Sequence, residues 1–260
     1  MSPTPAPQSP KLKTSDLIIP DWPAPANVRA FFTTRGGGVS IGAYASLNLG
    51  AHVGDEPELV AENRRRVGTL LPAAPVWLNQ VHGVDVVRAE ELVGSPANAV
   101  PADASVTAQR GVPCAVMVAD CLPVLFSTRD GSQVGAAHAG WRGLLKGVLE
   151  RTAKALCDDP SEVIAWLGPA IGPNAFEVGA EVFAAFTSAA ASDASAFRVT
   201  SERRDKFLAD IYALARARLQ RAGIKRIFGG DFCTVSDAAR FFSYRRDATT
   251  GRMVGVVWIE

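Results

Sequence analysis

The feature that most constrains the fold is a series of short apolar runs, rich in β-branched residues, with few helical segments between them. In the first half of the chain these runs predict strands at residues 28–34, 76–80, 84–88, 114–119, 124–127 and 134–137. A doubly wound sheet would place a regular helix after nearly every strand. The spacing therefore argues against that architecture and predicts an α+β protein.

Most of the predicted helices belong to the second half of the chain. Helical periodicity and capping signals predict helices at 57–71, 142–157, 180–189 and 206–222, and further strands are predicted at 162–167 and 253–258. Because the chain shows no internal repeat and no second composition regime, we expect residues 17–260 to form a single domain. Residues 1–16, rich in Pro, Ser and Thr, are expected to form a disordered tail.

Charge and cysteine content narrow the classes of function. Lys and Arg number 27 against 26 Asp and Glu, so the formal net charge is only +1 and no overall field recruits nucleic acid or an anionic membrane. No signal peptide or membrane span is predicted. The 4 cysteines show no paired framework, which favours a reducing cytoplasm. We expect a cytoplasmic protein with no nucleic acid, membrane or obligate protein partner.

Two of the three histidines and one cysteine follow apolar runs that predict strands. These residues are His82, Cys121 and His138. Three ligands of mixed nitrogen and sulfur type leave one position of a zinc ion open, as in catalytic zinc sites. Their separations match no standard metal motif, so spacing alone does not group them. The alternative is that Cys121 is a buried small hydrophobic residue and that both histidines serve packing or turns.

Three arginines lie in segments suited to anions or bases. Arg35 precedes a run of three glycines, Arg142 stands at the start of a predicted helix, and Arg245 follows an aromatic cluster. Guanidinium groups and helix N-termini bind phosphate, and guanidinium planes also stack on bases. Each segment has a plainer interpretation as well, namely a surface turn, a first-turn surface residue beside a core aromatic, and a solvated charge cluster.

Six short segments, taken in order, closely resemble the laccase-domain family. They are residues 34–37, 46–50, 80–83, 119–123, 137–143 and 168–172. The family was first labelled multicopper polyphenol oxidase and is now regarded as zinc-dependent purine nucleoside phosphorylases with adenosine deaminase activity. The match extends from about Phe31 to the C-terminus, and its motifs are specific because they recur in order.

The resemblance implies a metal centre and a fold. It carries the family's metal ligands onto His82, Cys121 and His138, with Zn²⁺ as the expected ion and copper as the alternative. It also implies a single domain with a central β-sandwich flanked by helices, related to the catalytic domain of cytotoxic necrotising factor toxins.

The activity that the resemblance implies is phosphorolysis of adenosine, inosine, guanosine and methylthioadenosine, together with deamination of adenosine. Purine nucleosides and phosphate would then be the partners. Arginine donors should hold phosphate and stabilise the charge that develops in the transition state, and a carboxylate should move protons in deamination. We predict substrate contacts at Arg35, Asn48, Gln80 and Arg245, and catalytic roles for Arg142, Asp120 and Asp103.

Other functions remain open from the sequence. A metal-free hydrolase or amidase could use Cys121 as nucleophile and His138 as base. A multicopper oxidase fits less well, because three histidines cannot supply several copper ions. A role in metal binding or envelope quality control without catalysis is a third option. Metal content separates these possibilities.

Overall fold

The computed structural model describes residues 12–97, 100–200 and 205–260. Within them the strands are β1 (Leu17–Ile18), β2 (Val28–Thr33), β3 (Val86–Arg88), β4 (Ala104–Thr107), β5 (Cys114–Val118), β6 (Leu122–Thr128), β7 (Val134–Ala139), β8 (Val163–Leu167), β9 (Glu177–Gly179), β10 (Phe197–Val199), β11 (Lys206–Ala209), β12 (Arg226–Gly229) and β13 (Met253–Ile259). The helices are α1 (Pro57–Gly68), α2 (Trp141–Lys146), α3 (Val148–Leu156), α4 (Ala180–Ala189), α5 (Ile211–Arg221) and α6 (Tyr244–Asp247).

Two sheets packed face to face form the centre of the molecule. One has the order β1-β2-β13-β5 and the other the order β12-β8-β6-β7-β4-β3. A smaller sheet, β10-β11-β9, contributes residues to the core on the outer face of the six-stranded sheet. Between the two large sheets lies a core that includes Phe32 and Val116 from the first sheet and Leu125 and Trp166 from the second. The predicted α+β class is confirmed, and the sheets pack as the expected sandwich.

The sequence of strand β13 suits its position between β2 and β5 in the four-stranded sheet. Met253, Val257 and Ile259 point into the core between the sheets, whereas Val254 and Val256 point to the opposite face of the first sheet. Side chains alternate across a strand, so a run that is apolar at every position predicts burial on both faces. All seven residues of β13 are buried.

Helices cover the outer faces of the sandwich. Helices α2, α3, α4 and α5 contribute to a core on the outer face of the six-stranded sheet, with Leu149 of α3 and Leu214 of α5 fully or almost fully buried there. Val67 of α1 belongs to a smaller cluster on the outer face of the four-stranded sheet. No helix of the described residues is long and apolar enough to cross a membrane.

The strand predicted at 76–80 is wrong. Pro75 lacks a backbone donor, and the segment makes only an isolated bridge between Asn79 and Pro101. A side chain takes the place of the missing strand: the Gln80 amide donates to the Met117 carbonyl at 2.7 Å and accepts from the Met117 N–H at 2.8 Å. This pair of bonds satisfies backbone groups on the edge of the four-stranded sheet at β5.

Three predicted helices have different bounds, and the helix predicted at 57–71 simply ends earlier, at Gly68. The helix predicted at 142–157 is divided into α2 and α3 at Gly147, whose φ of +96° is open to glycine at little cost. The helix predicted at 206–222 begins only after Asp210, whose side chain caps α5 by accepting from the Ala213 N–H at 2.9 Å. Its first residues instead form β11, the middle strand of the smaller sheet.

The predicted disordered tail covers residues 1–16. Residues 1–11 lie outside the described part of the chain, but residues 12–16 are ordered. Thr14–Asp16 form a short 3-10 helix, and Leu12 packs against the outer cluster of the four-stranded sheet. Because Pro, Ser and Thr content is a weak local signal, it did not reveal these tertiary contacts.

Candidate active site

The three predicted metal ligands converge at one end of the sandwich. Cys121 directly precedes β6 and His138 lies in β7, its neighbour, with Pro123 opposite His138 in the antiparallel register. His82 comes from a loop, where its φ of +59° turns the chain. The Cys121 Sγ lies 3.6 Å from the His82 Nε2, and the three donor atoms lie within 4.8 Å of one another.

This donor set fits a zinc ion. Zinc binds thiolate sulfur at about 2.3 Å and imidazole nitrogen at about 2.0–2.1 Å, so adjacent donors of a tetrahedral site stand roughly 3.3–3.7 Å apart. The distance between Cys121 and His82 falls in that range. His138 is buried, Cys121 is half-buried and His82 is exposed, so the centre is open to solvent on one side. Three protein ligands leave a coordination position for a substrate or water.

Asp103 organises the two histidines from behind. Its buried carboxylate accepts the backbone N–H groups of Val81, His82 and Gly83 at 3.1, 2.9 and 2.6 Å, which fixes the loop that carries His82. It also bonds the His138 Nδ1 at 2.7 Å, leaving the Nε2 for a metal. These four partners and the lack of exposed surface favour a positioning role for Asp103, and the acid or base role stays a prediction.

The electrostatics of the centre favour a thiolate. Burial would raise the pKa of Cys121, but the charge and hydrogen bonds of His138 and His82 outweigh burial and lower the pKa to about 6. Burial likewise opposes the charged form of His138, yet the Cys121 thiolate and the bond to Asp103 raise its pKa to about 9. Metals bind the thiolate and not the thiol, so the site is prepared for a cation.

Gly140 leaves room for this centre. A Cβ atom at this position would lie 2.7 Å from the His82 Cδ2 and 3.0 Å from the Cys121 Sγ. Its φ of −62° is ordinary, so the requirement for glycine is one of space.

We expect Gly140→Ala to weaken zinc binding by roughly tenfold or more, because His82 must move away from Cys121. Changes to the groups that orient metal ligands usually lower metal affinity by about 10–100-fold. Zinc affinity measured by competition with a chelator tests this. Gly68→Ala is the matched control: its Cβ meets nothing within 4 Å, and alanine favours the helix. Equal zinc affinity in the Gly140 and Gly68 variants would contradict the packing argument.

Two cavities meet at Cys121, one of the three ligands. The first, which we call the metal cavity, has a volume of about 370 Å³ and is lined by His52, Gln80, His82, Met117, Val118, Ala119, Cys121, His138, Tyr244 and Arg252. The second, the arginine cavity, has a volume of about 290 Å³ and is lined by Ala119, Asp120, Cys121, Trp141, Arg142, Ile171, Phe176, Ile211, Tyr244 and Arg245. Cys121 and Tyr244 border both cavities. The ligand cysteine therefore stands between two spaces.

Asp120 ties the arginine cavity to the metal ligand that follows it in sequence. Its backbone has a φ of +87°, which asparagine and aspartate tolerate better than most residues. One carboxylate oxygen accepts from the Thr234 hydroxyl at 2.5 Å, and the other accepts from the Arg245 backbone N–H at 2.6 Å. The carboxylate thus fixes the start of α6 beside Cys121.

The structure does not bring all the predicted substrate-binding residues to the cavities. Arg35 donates from its Nε to the Ala45 carbonyl at 2.9 Å and lies over the Phe242 ring, and it borders neither cavity. Asn48 is fully buried, and its amide oxygen accepts the Gly50 and Arg252 N–H groups. Both residues join loops, and direct substrate contact at these two positions stays a prediction that this geometry does not favour. Gln80, Arg142 and Arg245 do line the cavities.

Several cavity residues were not predicted as functional. They are His52, Tyr244, Arg252, Trp141 and Phe176. His52 had the strongest signal, since it is the third histidine of the chain. Tyr244 lies in an aromatic and basic segment that the sequence did single out, and it is 60% exposed between the two cavities. Arg252, Trp141 and Phe176 could be assigned to the cavities only from the structure, in which the fold brings distant segments of the chain together.

Comparisons with known proteins give one consistent result. The family model described as multi-copper polyphenol oxidoreductase laccase matches residues 29–260. A protein named purine nucleoside phosphorylase from Escherichia coli is 55% identical over 247 residues, covering 94% of this chain and 99% of the relative. One of the same name from Pseudomonas aeruginosa is 56% identical over 243 residues, covering 94% and 98%. A crystal structure of a Neisseria meningitidis protein superposes with a TM-score of 0.88 at 53% identity, covering 94% and 99%.

Proposed function

The chain belongs to the family described as multi-copper polyphenol oxidoreductase laccase, and we propose that it is a zinc-dependent purine nucleoside phosphorylase that also deaminates adenosine. Its substrates would be adenosine, inosine, guanosine and methylthioadenosine, which phosphate converts to the free base and a ribose 1-phosphate. Relatives that are 55% and 56% identical over almost the whole chain carry the name purine nucleoside phosphorylase, which supports an enzyme of this kind.

One observation carries the proposal: a metal-binding set stands where two cavities meet. Phosphorolysis has two substrates, a nucleoside and phosphate, which must reach the same carbon atom. Holding both in place converts a bimolecular encounter into a positioned reaction and can account for several kcal/mol of the barrier. Cys121 and Tyr244 border both cavities, which supports a reaction centre beside them.

Zinc suits the ligand set better than copper. Two imidazoles and one thiolate match the borderline softness of zinc and its tetrahedral preference. A blue-copper centre uses the same set of two histidines and one cysteine, but a multicopper oxidase needs more imidazoles than this chain's 3 histidines provide. When bound, zinc would supply Lewis acidity toward an oxygen of a substrate or of water.

The chain's own residues have separate tasks in this proposal. Asp103 holds His138 in the tautomer whose Nε2 faces the centre, and it fixes the His82 loop. Arg142 and Arg245 border the same cavity as Cys121, where their guanidinium groups would hold and orient phosphate. Asp120 remains the candidate for proton transfer in deamination, because it directly precedes Cys121, which borders both cavities, and because Asp103 has no exposed surface.

Product analysis tests the proposed function. Zinc-loaded protein should convert adenosine to free adenine only when phosphate is present, and should form inosine whether or not phosphate is present. Chromatography of the bases and nucleosides separates the two reactions. Free adenine in the absence of phosphate would indicate a hydrolase, and no turnover of any of the four nucleosides would end the proposal.

A second candidate, a metal-free cysteine hydrolase, is favoured by one observation, the coupling of the Cys121 thiolate to His138. The two candidates predict opposite reactivity toward iodoacetamide. We expect the zinc-loaded protein to protect Cys121, because a metal-bound sulfur shares its lone pair with the ion. After chelation Cys121 should be alkylated at any pH above about 6, where the lowered pKa leaves it as thiolate.

Peptide mapping after alkylation is the measurement, since Cys157 and Cys233 are also partly exposed and must be distinguished. Buried Cys114, whose pKa burial raises to about 12, is the internal control that should stay unmodified in the folded protein. Ready alkylation of Cys121 without chelator, with parallel loss of activity, would support the hydrolase instead.

A further inference from the structure

The arginine cavity carries a charge pattern that the metal centre does not explain. Arg142 forms no hydrogen bond or ion pair with the described residues, and Arg245 uses only its Nη1, which donates to the Glu177 carbonyl at 2.8 Å. A guanidinium group has five N–H donors in a planar fork suited to carboxylate or phosphate. Most of these donors in the cavity therefore have no partner among the described residues.

Aromatic rings hold the two arginines in place. The Arg142 guanidinium lies 4.4 Å from the centroid of the Trp141 ring, and the Arg245 guanidinium lies 5.6 Å from that of Phe176. The bond from the Arg245 N–H to Asp120 fixes the backbone of the second arginine. Guanidinium groups held against rings lose less freedom when they bind an anion, which increases affinity.

The same stacking disfavours a nucleobase in this cavity. Trp141 and Phe176 each have a guanidinium over one face, and both side chains pack into the core of the six-stranded sheet, so neither offers a free face to a purine. Tyr244, the exposed ring of this cavity, borders the metal cavity as well. The Asp120 carboxylate opposes an anion, yet both of its oxygens already accept hydrogen bonds. The two arginines exceed this single negative charge, so the cavity favours an anion.

The metal cavity has a different character. Its arginine, Arg252, already donates from its Nη1 to the carbonyls of Thr250 and Gly251, and burial lowers its pKa. It also has the Gln80 amide, whose two bonds to Met117 leave one N–H and one lone pair of the amide for hydrogen bonds to the edge of a base. This cavity suits a nucleoside better than a small anion.

We propose that the arginine cavity is the binding site for inorganic phosphate, held between Arg142 and Arg245, and that the nucleoside occupies the metal cavity on the other side of Cys121. This inference rests on the proposed phosphorolysis for the identity of the anion, and on the geometry of the two arginines for its place. Each substrate then reaches the border at Cys121 and Tyr244 from its own cavity.

Calorimetric titration of the zinc-loaded protein with inorganic phosphate tests the assignment without turnover. Arg142→Ala and Arg245→Ala should each raise the Kd for phosphate about tenfold or more, the usual effect of losing charge-assisted hydrogen bonds. Arg151→Ala, at an exposed arginine outside both cavities, is the matched control and should change the Kd less than twofold. Arg252→Met keeps the aliphatic stem that packs against Gly50 and should also leave phosphate binding nearly unchanged.

Unchanged phosphate affinity in both arginine-cavity variants, or a loss confined to Arg252→Met, would overturn the assignment.

A second readout comes from turnover. Arg142→Ala should raise the KM for phosphate and should affect adenosine deamination, which needs no phosphate, much less. Equal losses in both reactions would also count against it. Phosphate binding that depends on the two arginines in a protein without phosphorolysis would refute the proposed function and leave the anion site standing. Phosphorolysis that is insensitive to both substitutions would refute the anion site and leave the proposed function standing.

Discussion

Replacing Cys121 with serine should remove zinc from the protein and lower kcat/KM for adenosine phosphorolysis by roughly a thousandfold. The sulfur is one of three donor atoms that lie within 4.8 Å of one another, and a serine hydroxyl at neutral pH is neither a thiolate nor a soft ligand. Lewis acidity from a bound metal contributes several kcal/mol, and about 4 kcal/mol corresponds to a thousandfold in rate. Elemental analysis and steady-state kinetics measure the two effects.

Cys157→Ser is the matched control for this substitution, because Cys157 is a half-buried cysteine at the end of α3 and borders neither cavity. It should keep full zinc content and activity. His82→Ala and His138→Ala should follow Cys121→Ser in both measurements. A Cys121→Ser protein that retains one zinc per chain and near-normal phosphorolysis would remove Cys121 from the centre.

The second large effect is expected at Asp103, although its carboxylate touches no cavity. The wild-type Asp103 carboxylate accepts three backbone N–H groups and bonds the His138 Nδ1. In Asp103→Asn the amide NH₂ group would face some of these donors and could not accept from them. Breaking a buried charge pair costs about 3–5 kcal/mol. For a chain of this size, a loss of about 3 kcal/mol lowers the melting midpoint by roughly 6–12 °C.

Zinc affinity should fall by about 10–100-fold in the same variant, the usual consequence of removing a carboxylate that orients a ligating histidine. Calorimetry and chelator competition measure the two losses separately. Asp158→Asn is the control, because Asp158 is exposed and bonds only to Lys154 among the described residues. If Asp103→Asn has the same melting midpoint and the same zinc affinity as the wild type, Asp103 does not organise the centre.

The three candidate metal ligands could be predicted from the sequence better than the residues that line the cavities. Cys121 and His138 lie at or beside the ends of adjacent strands, whose apolar runs are legible in the sequence. His82 was placed correctly because the chain has few histidines and its motif resembles that of a known family, although the strand predicted before it does not exist. Residue type and local pattern were sufficient at these positions.

The structural contacts of Arg35, Asn48 and Asp103 could not be predicted, because they involve partners distant in sequence. Arg35 donates from its Nη1 to the Ala238 carbonyl, and Asn48 accepts the Arg252 N–H. Polar residues in a motif are compatible with substrate binding and with loop anchoring alike, and only tertiary contacts decide between them. The same holds for the arginine cavity, where α6 meets the segment after β5 through Asp120.

The split at Gly147 and the start of α5 at Asp210 illustrate a different limit. Glycine inside a periodic segment is tolerated in many helices, so its positive φ is visible only in the structure. Aspartate is a strong capping residue, but the apolar residues before it extended the periodic pattern toward the N-terminus and concealed β11. Boundaries set by single residues were therefore less predictable than the elements themselves.

The central claim is that a zinc ion held by His82, Cys121 and His138 supports phosphorolysis, and reconstitution of metal-free protein tests it most directly. Ribose 1-phosphate formed from adenosine and phosphate can be followed by ³¹P nuclear magnetic resonance. We predict no product after chelation, full recovery with one equivalent of zinc per chain, and no polyphenol oxidation after loading with copper. Undiminished ribose 1-phosphate formation by the metal-free protein would contradict the account.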